Sequence, residues 1–192
     1  MAVDKFSNAA GPQHGLIKIV PTSVTVGSGS ASVDVNGNIT VTSVSAITIN
    51  NCFSSLFENY KMIINAYITV GAQPLYAQMT ASGTPNTSTS WYYGGTYITH
   101  SAGPTRAYTA ASASAQLAEG NDINCLNDLT FAYPAQARQT IVNSQWGSFG
   151  GTYNELYSGA ALHSVSTAYD GVKFTPNAGT FTGTIRIYGY NQ

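Results

Sequence analysis

Charged side chains are scarce in this sequence: only 8% of its 192 residues are Asp, Glu, Lys or Arg, against about 25% in a typical soluble domain. The 7 Lys and Arg and the 8 Asp and Glu are spread singly, and the formal net charge is −1. A protein that neutralises many phosphates needs clustered Lys and Arg. We therefore predict that the chain binds neither nucleic acid nor anionic membrane surfaces.

Cysteine and long apolar runs are also rare. Cys52 and Cys125 are too few for a disulfide framework and lack the spacing of a zinc site, so we expect two buried free thiols. No apolar run approaches the roughly 20 residues of a membrane-spanning helix, and the first 15 residues lack the apolar segment of a signal peptide. The sequence therefore predicts no membrane insertion and no Sec-dependent export.

Catalytic motifs are missing as well. His14, His100 and His163 have no second ligand at a metal-binding interval, so each is expected to be exposed or singly hydrogen-bonded. Glu119 and Asp122 lie three residues apart across a glycine, which is more typical of a turn than of a paired acid and base. Motifs such as GxSxG, the P-loop and HExxH are absent. We predict no enzymatic activity, no catalytic residue, no metal site and no cofactor.

Apolar and neutral polar residues make up most of the chain. The sequence is 43% hydrophobic and contains 20 Ser, 22 Thr, 15 Asn and 19 Gly. A composition this apolar excludes a disordered chain, and hydroxyls, amides and backbone must keep the folded surface in solution. A monomer with so little charge would expose large apolar patches. We therefore expect a homo-oligomer.

Short alternating segments, separated by turn clusters such as SGTPNTSTS and TPNAGT, predict an all-β chain. Pro21 interrupts the first apolar segment and suits an edge or a bend between sheets, while Asn36-Gly37 predicts a hairpin with a type I′ turn. Ala107–Leu117 is the one segment whose composition permits a short helix. Short strands and Gly-rich turns without a βαβ rhythm predict an antiparallel sandwich or a jelly roll. The remaining strands are predicted at Ala46–Asn50, Tyr60–Val70, Leu75–Ala81, Trp91–His100, Ile123–Tyr133, Arg138–Trp146, Thr152–Tyr157, Gly171–Phe174 and Phe181–Tyr190.

The composition changes near residue 14 and divides the chain into an arm and a domain. Residues 1–14 have small residues and no period, whereas residues 15–192 form the predicted single β-sandwich domain. The arm is either a frayed terminus or a short extended peptide that orders on a partner. In the second case Val3, Phe6 and Pro12 are the candidate anchoring residues.

Aromatic residues are the most informative group, with 13 Tyr, 7 Phe and 2 Trp. Rings in strands usually serve core packing and subunit contacts. They also form platforms on which an uncharged sugar ring can stack. If the chain binds a glycan, the candidate contacts are Trp91, Tyr92, Tyr93, Tyr97 and Trp146. Because strand neighbours point to opposite faces, at least two of the four rings in Trp91–Tyr97 should belong to the core.

The last 24 residues, YDGVKFTPNAGTFTGTIRIYGYNQ, resemble the closing segment of a group of small tailed-bacteriophage virion proteins that commonly end on a GTIRVYGY-type strand. The segments GLIKIVPTSVTV, CFSSLFENYKMIIN and WYYGGTYI are also similar to that group, so the resemblance covers most of residues 15–192. Val33–Val41 and residues 101–122 have no counterpart. The resemblance implies a trimeric β-sandwich of jelly-roll type in tail fibres, baseplate appendages or head decorations, with no catalytic residue.

The sequence therefore predicts a non-enzymatic phage virion protein on the exterior of the particle, made in the host cytoplasm. A tail-fibre or appendage protein for host attachment is the first hypothesis. A capsid decoration protein is the alternative, and an extracellular carbohydrate-binding module is the second alternative. The expected partners are further copies of the chain in a trimer, other virion proteins through the arm, and host-surface glycan.

Overall fold

A computed structural model describes residues 15–99, 102–120, 125–148 and 155–191. The predicted arm, with Val3, Phe6 and Pro12, lies outside these ranges, as do His14, His100 and Asp122. Sixteen strands and no helix occur in the described part of the chain. No helix long and apolar enough to cross a membrane is found within it.

The strands are β1 (Ile17–Lys18), β2 (Ser23–Val26), β3 (Ser30–Val33), β4 (Ile39–Val44), β5 (Ile47–Asn50), β6 (Asn59–Ile68), β7 (Gln73–Ala81), β8 (Thr84–Pro85), β9 (Trp91–Thr99), β10 (Ala102–Ser112), β11 (Ala115–Gly120), β12 (Cys125–Ala132), β13 (Thr140–Ser148), β14 (Glu155–His163), β15 (Gly171–Pro176) and β16 (Phe181–Tyr190).

Two antiparallel sheets form a β-sandwich, which confirms the predicted fold class; the jelly-roll type stays a prediction. The larger sheet has the order β10-β9-β14-β13-β12-β6-β16-β4-β3, with β1 also paired to β16. The smaller sheet has the order β11-β7-β15-β5-β2, with β8 paired to β7. β1 and β2 lie in different sheets on either side of Pro21, so the expected bend between sheets is confirmed.

The core lies between the two sheets and follows the alternation of each strand. On β12, Cys125, Asn127, Leu129 and Phe131 are buried, while the intervening residues face outward. Cys52 and Cys125 are both buried and free, as predicted. Burial raises the pKa of the Cys125 thiol to about 12. Both thiols therefore behave as small apolar groups.

Two buried polar side chains of the larger sheet bind the edge strand β11 of the smaller one. The Asn127 amide nitrogen donates to the Glu119 carbonyl at 2.8 Å, and the Asn127 carbonyl oxygen accepts from the Glu119 amide at 2.7 Å. The Ser144 hydroxyl donates to the Leu117 carbonyl at 2.5 Å. Buried backbone groups require such partners. The side chains therefore satisfy main-chain groups of β11 and join the two sheets.

The predicted hairpin at Asn36-Gly37 forms between β3 and β4, but the predicted type I′ turn is wrong. Only Gly37 of the pair has a positive φ, 73°. The Gly37 amide donates to the Asp34 carbonyl, and the Asp34 amide donates to the Asn38 carbonyl. This is the three-residue hairpin loop that ends on a left-handed glycine. The Asp34 carboxylate favours it by accepting from the Asn36 and Asn38 amides.

Two other segments differ from the sequence predictions. Ala107–Leu117 does not form the helix that its composition permits, because it supplies the end of β10 and the start of β11. β14 extends through Ala160–His163, beyond the predicted end at Tyr157, since it pairs with β13 on one side and β9 on the other. The small residues Gly159, Ala160 and Ala161 fit between these two neighbours but carry little strand propensity.

Candidate functional site

Strand alternation on β9 separates the four rings of Trp91–Tyr97. Trp91 is fully buried, and Tyr93 packs against the main core. Tyr97 points to the same inner face, whereas Tyr92 points outward and is 46% exposed. The expectation that at least two of these rings belong to the core is confirmed.

Trp146 and Tyr97 are neighbours, as the sequence suggests, but they meet inside the sandwich. Their ring centroids lie 5.7 Å apart, and Tyr157 stacks on Trp146 at 5.2 Å. Trp146 is only 3% exposed. Neither tryptophan therefore offers its ring to a ligand in this structure. Of the five predicted glycan contacts, Tyr92 is the ring on the outer surface.

The adjacent glycines of WYYGGTY serve opposite faces of β9. A Cβ atom on Gly95 would lie 2.6 Å from the Tyr157 ring on the inner face. A Cβ atom on Gly94 would lie 2.7 Å from the Ala107 carbonyl oxygen, on the side of the neighbouring strand β10. The pair is therefore required by the close approach of an aromatic ring and of a strand backbone.

The outer face of β9, β14, β13 and β12 carries a shallow groove of about 440 Å³. Leu126, Gly147, Leu156 and Ile98 form one row across the four strands, because each residue is paired with the next. The three apolar side chains are exposed. Gly147 has no side chain, so the backbone of β13 forms a low point between Leu126 and Leu156.

A polar row runs beside the apolar one. It consists of directly paired residues of the same four strands, Asp128, Gln145, Ser158 and Thr96, and they also line the groove. The Asp128 carboxylate is 2.7 Å from the Lys61 ammonium, so its charge is compensated. Hydroxyl and amide groups therefore supply the remaining hydrogen-bonding capacity of this row.

Two exposed tyrosines extend this surface away from the groove. Tyr92 lies six residues before Ile98 on β9, which corresponds to roughly 20 Å along a strand. Tyr108 of β10 is opposite Gly94 and is 87% exposed. Sequence reasoning did not single out Tyr108, Leu126 or Leu156. The alternation of their strands could have placed them on one face, but the order of the strands could not be read from it.

A buried serine and histidine pair lies where β9 begins and β14 ends. The Ser90 hydroxyl is 2.9 Å from the Nε2 atom of His163, and both residues are buried. The His163 ring packs edge-on against Trp91 and Tyr169. Burial lowers the pKa of His163 to about 4, so the ring is neutral. The prediction of a singly hydrogen-bonded histidine fits this geometry, and a substrate has no access to the pair.

Glu119 does not lie in the turn that its spacing from Asp122 suggested. It lies in β11 and is buried. Burial, with a smaller contribution from the charge of Glu155, raises the pKa of Glu119 to about 8. Its backbone is held by Asn127. The carboxyl group is therefore largely protonated at neutral pH and destabilises the fold when it ionises.

Potential metal ligands are not clustered in the described ranges. No three His, Cys, Asp or Glu side chains come together there as metal ligands. A second pocket, of about 490 Å³, is lined by neutral polar residues and a single acid, Asp170. That carboxylate accepts a hydrogen bond from the Ser82 amide at 3.0 Å. One engaged carboxylate is a weak basis for a cation site.

No protein-family model matches the chain, and no curated protein matches it. The similarity to tailed-phage virion proteins noted in the sequence therefore stays a prediction. The outer face of β9, β14, β13 and β12 is the candidate site on geometry alone. It joins an apolar groove, neutral hydrogen-bonding groups and an exposed ring on one surface.

Proposed function

We propose that this chain is a non-enzymatic structural protein of a tailed-phage particle and that it attaches to host-surface glycan. The observation that carries the proposal is the outer face of β9, β14, β13 and β12. It is a broad surface with a groove, exposed apolar groups and neutral hydrogen-bonding side chains. A homotrimer on the tail is the proposed setting.

A neutral glycan suits this surface chemically. Sugar rings present apolar C–H faces, which pack on exposed tyrosine or leucine side chains. Sugar hydroxyls exchange hydrogen bonds with amides and hydroxyls such as those of Gln145, Ser158 and Thr96. The roughly 20 Å between Tyr92 and Ile98 accommodates several sugar units in an extended chain.

The phage setting is supported by the resemblance at the C-terminal end and by the composition. β16 contains the sequence FTGTIRIYGY, which is the segment that resembles the closing strand of phage virion proteins. The scarcity of charge suits a protein whose surface is partly covered by further copies. Locating the protein in a map of the particle decides between the tail and the shell; a position on the shell would favour capsid decoration instead.

Single substitutions on the outer face test the glycan contact. We expect Tyr92→Ala and Gln145→Ala to weaken adsorption to host cells, and binding of the purified protein to host polysaccharide, by about fivefold each, because each removes an exposed contact worth roughly 1 kcal/mol. Thermal stability should change little, since both side chains are exposed. Val35→Ala is the control, because Val35 is exposed in the loop between β3 and β4, at the opposite end of the larger sheet from β9. Unchanged binding by both variants would contradict this site.

The absence of catalysis is tested with the same polysaccharide. We expect the purified protein to release no reducing sugar over time. The pKa of Glu119, which burial raises to about 8, suits an acid catalyst near neutral pH. Steady release by the unmodified chain that disappears in Glu119→Gln would therefore show that the chain is a glycan hydrolase.

A further inference from the structure

The edge strand β10 is exposed along much of its length. It pairs with β9 on one side, and the described residues provide no strand on its other side. Pro104, Thr105, Arg106, Ala107 and Tyr108 are all exposed. A row of unpaired backbone N–H and C=O groups is a template for another strand.

Other sheet edges are shorter or better protected. The edge strands β3 and β2 have four residues each, and β11 is contacted by the buried side chains of Asn127 and Ser144. β10 has eleven residues. Its pairing with β9 is regular from Thr105 to Thr109 and shifts register on both sides of that segment. The regular segment is therefore the part of this edge that another strand can extend.

We propose that Thr105–Thr109 pairs antiparallel with the same segment of a second copy of this chain, around a two-fold axis at Ala107. In this register Arg106 of each copy faces Tyr108 of the other. Arg106 and Tyr108 lie on the same outer face, because they pair with Thr96 and Gly94 on alternate positions of β9. The arrangement creates two symmetric contacts between a guanidinium and a phenol ring, which attract each other.

The remaining pairs of this register are also compatible. Thr105 faces Thr109 of the other copy, which is a favourable cross-strand pair, and the small Ala107 side chains meet at the axis. Arg106 is the one charged residue of the segment, and it forms no ion pair with any described residue. No like charges are opposed. The segment is thus self-complementary, which is what a two-fold contact requires.

The argument for this contact does not depend on the proposed glycan binding, although Tyr108 lies on the same outer face, and the contact differs from the proposed three-fold contact. A two-fold axis alone gives a dimer, and combined with a trimer it gives a hexamer. An even-numbered assembly is therefore the expected state of the full chain. A trimer or a monomer at micromolar concentration in sedimentation experiments would overturn the proposal.

Exchanging the residues at positions 106 and 108 tests the proposed register between the two copies. Tyr108→Arg places a second guanidinium opposite Arg106 at both symmetric positions, so we expect the two-fold association to weaken on the order of tenfold or more. The double variant Arg106→Tyr with Tyr108→Arg restores an arginine opposite a tyrosine and should recover association. Both side chains are exposed, so each variant should keep the fold of the protomer, which circular dichroism measures. Failure of the double variant to recover association would overturn the register.

Disulfide formation provides a second test of the axis. Residues directly opposite in an antiparallel pair have Cα atoms about 4.5 to 5.5 Å apart, within the range of a disulfide. Ala107→Cys should therefore form a covalent dimer under mild oxidation. Ala110→Cys is the matched control, because Ala110 faces residue 104 and not its own symmetry copy. Equal cross-linking of the two variants would contradict the proposed axis.

Discussion

Glu119→Gln is expected to stabilise the fold by about 3 to 5 kcal/mol at pH 8 and to leave stability nearly unchanged at pH 4.5. The reason is the burial of the carboxyl group in β11, which raises its pKa from the usual 4.5 to about 8. Gln has nearly the same shape as the protonated acid and cannot ionise. The variant therefore removes the cost of a buried charge without leaving a cavity.

The direction of the pH dependence follows from the raised pKa. Below pH 4.5 the carboxyl group is protonated in both the folded and the unfolded chain, so its contribution is fully favourable there. As the pH rises, the unfolded chain ionises first, and stability falls by about 1.4 kcal/mol for each pH unit until the folded chain also ionises near pH 8. Glu119 thus disfavours the folded state in mildly alkaline solution.

The titration of His163 changes the stability in the opposite direction over part of the same pH range. Its pKa falls from the usual 6.5 to about 4 in the folded chain. Its contribution to stability is therefore complete above pH 6.5 and is lost as the pH falls towards 4. Between pH 4.5 and 6.5 the two effects largely cancel. The decline caused by Glu119 should become visible between pH 6.5 and 8.

Urea unfolding of the natural chain and of Glu119→Gln at several pH values from 4.5 to 8.5 measures both effects. Glu58→Gln is the control, since Glu58 is an exposed carboxyl group and its replacement should change stability by less than about 0.5 kcal/mol. A Glu119→Gln protein less stable than the natural chain at pH 8 would show that the ionised carboxylate makes favourable contacts, contrary to the burial argument.

Much of the fold could be predicted because the strands alternate clearly and are separated by turn residues. Pro21, the Asn36-Gly37 hairpin and the buried thiols all follow from local chemistry. Ala160–His163 could not be recognised as strand, since small residues gain their strand conformation from the neighbours β13 and β9. The turn at Gly37 is not the predicted two-residue type I′ turn, because the hydrogen bonds of the Asp34 carboxylate favour a three-residue loop.

The candidate site was harder to predict than the fold. Its groove depends on Leu126, Gly147, Leu156 and Ile98, which come from four strands that are not all consecutive along the chain. The order β9-β14-β13-β12 brings them into one row, and a single sequence contains no signal for that order. Alternation does separate Trp91 from Tyr92, which is the part of the site that local reasoning can reach.

Trp91 and Tyr92 are adjacent large rings that should respond very differently to replacement by alanine. Trp91 is fully buried in the main core and packs against His163 at 4.7 Å between ring centroids. Its removal leaves a large cavity, so Trp91→Ala should cost about 3 to 5 kcal/mol. Tyr92 is 46% exposed on the outer face, so Tyr92→Ala should cost less than about 1 kcal/mol.

A third variant separates the contribution of ring packing at Trp91 to stability from the contribution of its polar Nε1 atom. The Nε1 atom of Trp91 is buried and has no hydrogen-bond partner among the described residues, which is a cost to the fold. Trp91→Phe keeps an aromatic ring and removes that unpaired N–H, so it should lose at least about 1 kcal/mol less stability than Trp91→Ala. Thermal and urea unfolding of the three variants measure these differences. Equal losses for Trp91→Ala and Tyr92→Ala would mean that β9 does not present its alternate residues to opposite faces, and the outer-face site would then have no structural basis.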